Sequence, residues 1–169
     1  MTFRAMRRGA QQLPPEECEA ILREGSAGVL AVLGDGGWPY TVPMSYVWRN
    51  GCVYFHCARA GHKLDAIRTC EKVSFCVVAQ DRVVPEEYTT YYRSVVVFAA
   101  AEEVTDPDES RAALAALADK YHPTGAPEDR DRSINRQFPA LTVLRLTPVH
   151  ITGKQARELM RKRETPKSP

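Results

Sequence analysis

Phe55-His56-Cys57-Ala58-Arg59-Ala60-Gly61-His62-Lys63 is the stretch of this sequence in which reactive side chains and a permissive backbone lie closest together. An apolar run delivers His56, a glycine-containing turn follows, and Lys63 falls in the first turn of an expected helix. Free N–H groups and the positive end of the helix dipole at such a point attract an anion, and Arg59, His62 and Lys63 would reinforce it. A phosphate suits that arrangement. The same residues also read as solvated loop charges beside a core histidine, and so short a basic motif does not decide between the two.

A second unusual stretch is Trp38-Pro39-Tyr40-Thr41-Val42-Pro43-Met44-Ser45-Tyr46. Proline inside a strand removes a ladder donor, so Pro43 marks an edge, a bulge or an interruption of the sheet. An interruption leaves backbone N–H and C=O groups free to bond a planar heteroaromatic ligand; two prolines equally protect an edge strand from aggregation. His56 and His62, with Cys57 beside the first, lack the four-ligand spacing of a zinc site. Cys57 near basic groups is a candidate reactive thiol, although strand cysteines are mostly inert packing. Ser94 has no nucleophile pattern such as G-x-S-x-G around it, and Arg93 before it suits a carboxylate or a ligand phosphate. Glu86 and Glu87 read as surface charge, and Tyr88, Tyr91 and Tyr92 as candidate interface residues.

The chain that must position these groups has 169 residues, 44% hydrophobic and 26% charged, which suits one domain of ordinary size. No apolar run approaches the ~18 to 20 residues of a membrane-spanning helix, and the first residues lack the apolar segment of a secretory signal. A cytoplasmic location without membrane contact is expected. The net charge of +2 is uneven: residues 1–13 carry +3 and residues 154–169 carry +4, leaving −5 on the body between them. An acidic body with basic ends does not match a nucleic-acid binder, which gathers Lys and Arg on one folded face. Five cysteines, with no C-x-x-C pair, are expected to be reduced and structural.

Pro14-Pro15 before Glu16 and Glu17, with Gly25 as a stop, predicts a short helix. Strands are expected over 27–33, 38–49 and 52–57, joined by Gly34-Asp35-Gly36-Gly37 and by the hairpin pair Asn50-Gly51. A short helix over 62–68 and a fourth strand over 73–78 follow. Residues 79–92 read as a polar excursion across a surface. A fifth strand over 94–104 leads to a helix over 109–121 introduced by Asp106-Pro107, with Ala113, Leu114, Leu117 and Ala118 as its apolar stripe. Residues 122–139 read as loop, 141–151 as a sixth strand, and Lys154 opens a basic tail. Hairpin-linked strands without β-α-β alternation point to a mainly β fold, an antiparallel barrel or curled sheet with peripheral helices.

Taken in order, Gly28-Val29-Leu30-Ala31, Pro39 to Tyr46, Tyr54-Phe55-His56-Cys57, Gly61-His62-Lys63-Leu64-Asp65, Tyr92 to Phe98 and Thr152-Gly153-Lys154 resemble the pyridoxamine 5'-phosphate oxidase-like, FMN-binding split-barrel family, and within it the nitroimidazole-resistance branch. The resemblance spans about Met6 to Ala156. It implies a six-stranded antiparallel split β-barrel over residues 14–153, flanked by a basic arm, 1–13, and a basic tail, 154–169. It also implies a homodimer with two FMN sites at the subunit interface. Val42, Pro43, Met44 and Ser45 would line the flavin ring with their backbone, His62 and Lys63 would hold the phosphate, and Ser94 would reach the site from the other subunit. His56 matches the branch's histidine beside flavin and substrate, which makes it the catalytic candidate. The activity implied is an FMN-dependent oxidoreductase acting on small organic acceptors, nitroaromatic or nitroimidazole compounds among them. A non-catalytic module binding haem, a deazaflavin or a flavin in the same cleft is the alternative. The Arg-rich second strand and the C-terminal Trp and Arg signature of true pyridoxamine phosphate oxidases are absent, so the resemblance does not extend to vitamin B6 oxidation. Ala99 also stands where the branch generally has glycine.

Overall fold

Asn50 and Gly51 have φ of 51° and 74°, the left-handed pair that a tight hairpin requires. They fold β4 (Val47–Arg49) onto β5 (Cys52–Ala58) as the sequence predicts. The computed structural model describes residues 2–164, with side chains through residue 160. The other strands are β1 (Gln12–Leu13), β2 (Gly28–Leu33), β3 (Pro39–Met44), β6 (Lys72–Val84), β7 (Thr89–Glu103) and β8 (Leu141–Gln155). All pairings are antiparallel, in the order β3-β2-β6-β7-β8-β5-β4, with β1 added on β8.

The two ends of that order, β3 and β4, are joined in sequence by Ser45 and Tyr46 alone. Three Cα steps reach at most about 11 Å, so the sheet must curl until its edges nearly meet. The result is a mainly β split barrel, in which the chain crosses a gap that no ladder closes. Strands number eight where six are expected. One addition is β1, whose Gln12 and Leu13 pair with Lys154 and Gly153; β8 accordingly runs on to Gln155. The other comes from the break in the expected strand 38–49. Tyr46 N–H donates to the Tyr121 hydroxyl (2.9 Å), and Tyr46 C=O accepts from Lys120 Nζ (3.0 Å), so these groups are satisfied outside a ladder.

Alternation along the strands sends Leu30, Phe75, Val95, Val97, Phe55 and Leu144 into the barrel, where all are fully buried. At about 1.5–3 kcal/mol for each large apolar side chain, this inner face dominates stability. Helix α1 (Pro15–Glu24), with Pro at its start and Glu16 and Glu17 in its first turn, buries Cys18, Ile21 and Leu22 against the same core. Helix α2 (His62–Thr69) adds Leu64 and Ile67. A second apolar cluster lies outside the barrel, where Val47, Tyr54 and Val143 meet Ala113, Leu114 and Leu117 of α3 (Pro107–Tyr121). Asp106 Oδ1 caps α3 by accepting from Asp108 N–H at 3.0 Å.

Three expectations need correction. Residues 79–92 are not a surface excursion: β6 and β7 continue past the barrel as a paired ribbon to Val84 and Thr89, with one 3₁₀ turn, Pro85–Glu87, at its tip. A β-bulge between Val78 and Gln80 marks where the ribbon departs. Residues 122–139 are not loop, because Pro127–Gln137 is helix α4, packed on α3 through Ile134. The basic tail enters the fold as far as residue 164, with Lys154 in β8 and Arg157–Glu164 forming α5, and residues 165–169 lie outside the described residues. No helix among the described residues is long and apolar enough to cross a membrane.

The opposite face of β2, β6 and β7 is apolar and uncovered in part: Val29, Val78 and Phe98 are 40%, 57% and 38% exposed. Phe3 of the N-terminal arm stacks on His150 (4.5 Å between ring centroids) and lies 5.1 Å from Phe98 at the edge of this face.

Candidate functional site

Because β5 alternates, Phe55 and Cys57 point into the barrel while His56 points to the side covered by α3 and α4. There it opens into a chamber of about 420 Å³, whose opposite walls include Leu114 and Leu117 of α3 and Ile134 of α4. Ser45, the first residue of the crossing between β3 and β4, reaches the same chamber. His56 keeps an exposed face; the groups around the rest of the imidazole desolvate it and lower its pKa below the ordinary histidine value, and the Lys63 ammonium pushes the same way. A neutral ring presents one N–H donor and one acceptor to whatever occupies the space.

The crossing is held by the end of α3. Tyr121's hydroxyl accepts from Tyr46 N–H and donates to Ser26 C=O at 2.5 Å. Lys120 Nζ donates to Gly25 C=O (2.6 Å) and lies 4.1 Å from the Tyr46 ring centroid; desolvation lowers its pKa. Two residues of one helix thus fix the segment carrying Ser45. Neither was singled out from the sequence, where Lys120 and Tyr121 read only as the end of an amphipathic helix.

At α2 the chain turns through Gly61, whose φ of 128° excludes most side chains and whose missing Cβ leaves open space within 4 Å. No side chain caps this helix, and Lys63 sits in its first turn. Exposed N–H groups, a lysine and a close backbone approach form a donor set that fits a phosphate. His62 is held differently: its ring stacks on Tyr40 (4.2 Å between centroids) and its Nε2 accepts from Asp35 N–H at 3.3 Å. One of its two ring nitrogens thus secures α2 to the β2–β3 turn. Arg59 faces a second cavity beside Arg68 and Glu103.

Val42 and Met44 pack against the barrel core, so Pro43, between them, turns to the outer face of the sheet. Among the described residues no further strand pairs beyond β3, and its register with β2 runs unbroken through Pro43, so Pro43 marks an edge strand and not an interruption. Ser94 shares the outer face with Pro43 but is remote from it. Pro43 pairs with Val29, Val29 with Cys76 and Cys76 with Val96; three ladders of ~4.8 Å amount to about 14 Å, and Ser94 sits two residues from the end of that row. One chain thus brings Ser45 and His56 to one chamber, with Lys63 near enough to act on the His56 imidazole, and Ser94 lies remote from Pro43. Cys57 is buried, and burial raises its thiol pKa despite Lys63 and Arg68, so the reactive-thiol reading is not supported. Arg93 pairs with the Glu17 carboxylate. Tyr91 is buried and donates to Glu87 (2.8 Å), whereas Tyr88 is 98% exposed.

The sequence profile of the family described as pyridoxamine 5'-phosphate oxidase matches residues 14–155. No curated protein matches the chain. Among solved structures, conserved hypothetical protein Rv2991 from Mycobacterium tuberculosis superposes with a TM-score of 0.80 at 18% identity, over 98% of this chain and 96% of that one. A proposed 5-nitroimidazole antibiotic resistance protein from Bacteroides thetaiotaomicron gives 0.71 at 20% identity, over 85% and 86%. A FAD and heme binding protein from Mycobacterium smegmatis gives 0.70 at 21% identity, over 87% and 74%. At these identities the likeness is one of fold.

Proposed function

The chain belongs to the pyridoxamine 5'-phosphate oxidase family, and from that premise we propose that it is an FMN-binding flavoprotein, an oxidoreductase that reduces small organic acceptors such as nitroaromatic or nitroimidazole compounds. The observation that carries this reading is the convergence of three parts: the uncapped start of α2 with Lys63, the open edge of β3, and the chamber shared by Ser45 and His56. Lys63 and the α2 N–H groups hold the phosphate. The backbone from Val42 to Ser45 borders the ring, and His56 donates a hydrogen bond to the acceptor. When bound, the flavin supplies hydride transfer from an external reductant, the chain's share being position and electrostatics. The working unit is a cytoplasmic homodimer. Its interface is the apolar outer face bearing Val29, Val78 and Phe98, which brings Ser94 of one protomer to the site of the other.

An absorption spectrum of the purified protein, followed by FMN titration with fluorescence detection, tests this. Flavin bands and saturable FMN binding are expected; a colourless protein that FMN neither binds nor stabilises overturns the reading. His56, on a wall otherwise rich in aliphatic side chains, also favours a second reading, haem binding without turnover. A Soret band that disappears in His56→Ala would establish that alternative, and deazaflavin in the same titration separates the two flavin types.

A further inference from the structure

The basic stretch from Arg59 to Lys63 divides in the fold. Lys63 sits in the first turn of α2, whereas Arg59 lines a separate cavity of about 430 Å³ that has Leu114 and Leu141 in common with the His56 chamber. This second cavity lies where β5 ends, between the last residues of β7, the first turns of α3 and the start of β8. Phe138, Leu141 and Val143 give it an apolar floor. Thr105 and Thr142 add hydroxyls that bond no other described residue.

The charges of the lining do not cancel. Arg68 donates to the Glu103 carboxylate at 2.7 and 3.2 Å and lies 3.6 Å from Asp65, so this guanidinium is matched. The Arg59 guanidinium, exposed in the loop before α2, has no carboxylate partner among the described residues. Two guanidinium groups against one carboxylate leave a single positive charge. The His56 chamber has the opposite balance, with Asp119 and Asp129 against Arg130 beside the neutral-or-cationic pair His56 and His122. An arginine stays charged at every physiological pH, and its planar fork meets a carboxylate through two parallel hydrogen bonds. One free guanidinium neutralises a monoanion, whereas a phosphate dianion would keep its second charge unmatched. The apolar floor takes the rest of such a guest out of water, and the volume is that of an ordinary small-molecule site.

We propose that the cavity enclosed by the β5–α2 loop, the β7–α3 turn and the start of β8 binds a small monocarboxylate with an apolar body. Arg59 holds the carboxylate, Thr105 and Thr142 supply further hydrogen bonds, and Phe138 and Val143 receive the body. The assignment is independent of the flavin reading, because none of these five residues belongs to the candidate flavin site.

Isothermal titration of the full-length protein with benzoate and benzamide, a matched anionic and neutral pair, tests it with and without FMN. Benzoate is expected to bind at least about tenfold more tightly, the effect of roughly 1.4 kcal/mol. Arg59→Gln, a change at an exposed loop position, is expected to bring benzoate down to the level of benzamide while circular dichroism and FMN affinity stay unchanged. In amide NMR spectra benzoate should shift Thr105 and Thr142 and leave Ser45 in place. Absence of benzoate binding, equal binding of the two probes, a preference that survives in Arg59→Gln, or shifts confined to the His56 chamber overturns the proposal. Displacement of benzoate by FMN overturns it as well, since the carboxylate would then lie at Lys63 and the start of α2. Benzoate preference in a protein that never binds FMN sinks the flavin reading and leaves this site standing; FMN binding without benzoate preference does the reverse.

Discussion

Two cavities flank α3, and they are nearly equal in size: about 420 Å³ beside His56 and about 430 Å³ beside Arg59, Arg68 and Glu103. Leu114 and Leu141 line both. The difference is in their polar atoms. In the second cavity Arg68 and Glu103 face one another, bonded at 2.7 and 3.2 Å, so their hydrogen-bonding capacity is spent internally. In the first, a neutral imidazole has no carboxylate partner and aliphatic walls around it. Equal space thus carries different chemistry: a charged lining of Arg59, Arg68 and Glu103 in the second cavity, and an imidazole among aliphatic walls in the first.

The shared wall is the place to break this contrast. Leu114 is 5% exposed, and Leu114→Ala should cost about 2–5 kcal/mol in urea denaturation, with the upper end expected because the vacated volume opens to both cavities. A cost below about 1 kcal/mol would mean that the two spaces are not held apart by packing. Next in size is Lys63→Ala, which should weaken FMN binding about 10- to 100-fold, the worth of a charge-assisted hydrogen bond. Arg68→Gln, in the second cavity, should leave FMN affinity where it was, and equal losses from the two variants would erase the distinction.

The smallest effect is that of pH on His56. Its pKa is lowered in the folded protein by desolvation and by Lys63 of α2, while Asp119 of α3 and Asp129 of α4, across the chamber, are engaged by Arg130 and Arg132. The unfolded chain therefore takes up a proton first as pH falls below about 6.5. The histidine's contribution to stability is complete above that value and lost as pH drops through the folded value. Melting temperatures of wild type and His56→Gln between pH 8 and 5 should diverge above and converge below. A difference independent of pH would contradict the desolvated-ring account.

Where local chemistry dictates structure, the sequence was legible. Asn50-Gly51 set the β4–β5 turn and Asp106-Pro107 the start of α3, as predicted. Helix α4 escaped because Glu128 to Gln137 is almost wholly polar and offers Ile134 as its inward residue, so no apolar stripe announces it. Its signal was local: Pro127 at the first position with Glu128 and Asp129 behind it. The β6–β7 ribbon escaped because Gln80, Asp81 and Arg82 leave the barrel and lose the one-sided burial that makes alternation visible. Of the candidate site, His56 and Lys63 were visible as residue types. The chamber was not, since its walls come from segments some 60 to 80 positions later.

The clamp on the barrel's split has a further consequence in time. Gly25, Ser26 and Tyr46 wait for Lys120 and Tyr121, which follow 75 to 95 residues later. At roughly 5–20 residues per second of synthesis, that is a delay of about 4 to 19 s. During that interval β2, β3, β4 and β5 can form hairpins, but the gap between β3 and β4 has nothing to fix its width. Its geometry is thus a late event on the ribosome, a closure of high contact order.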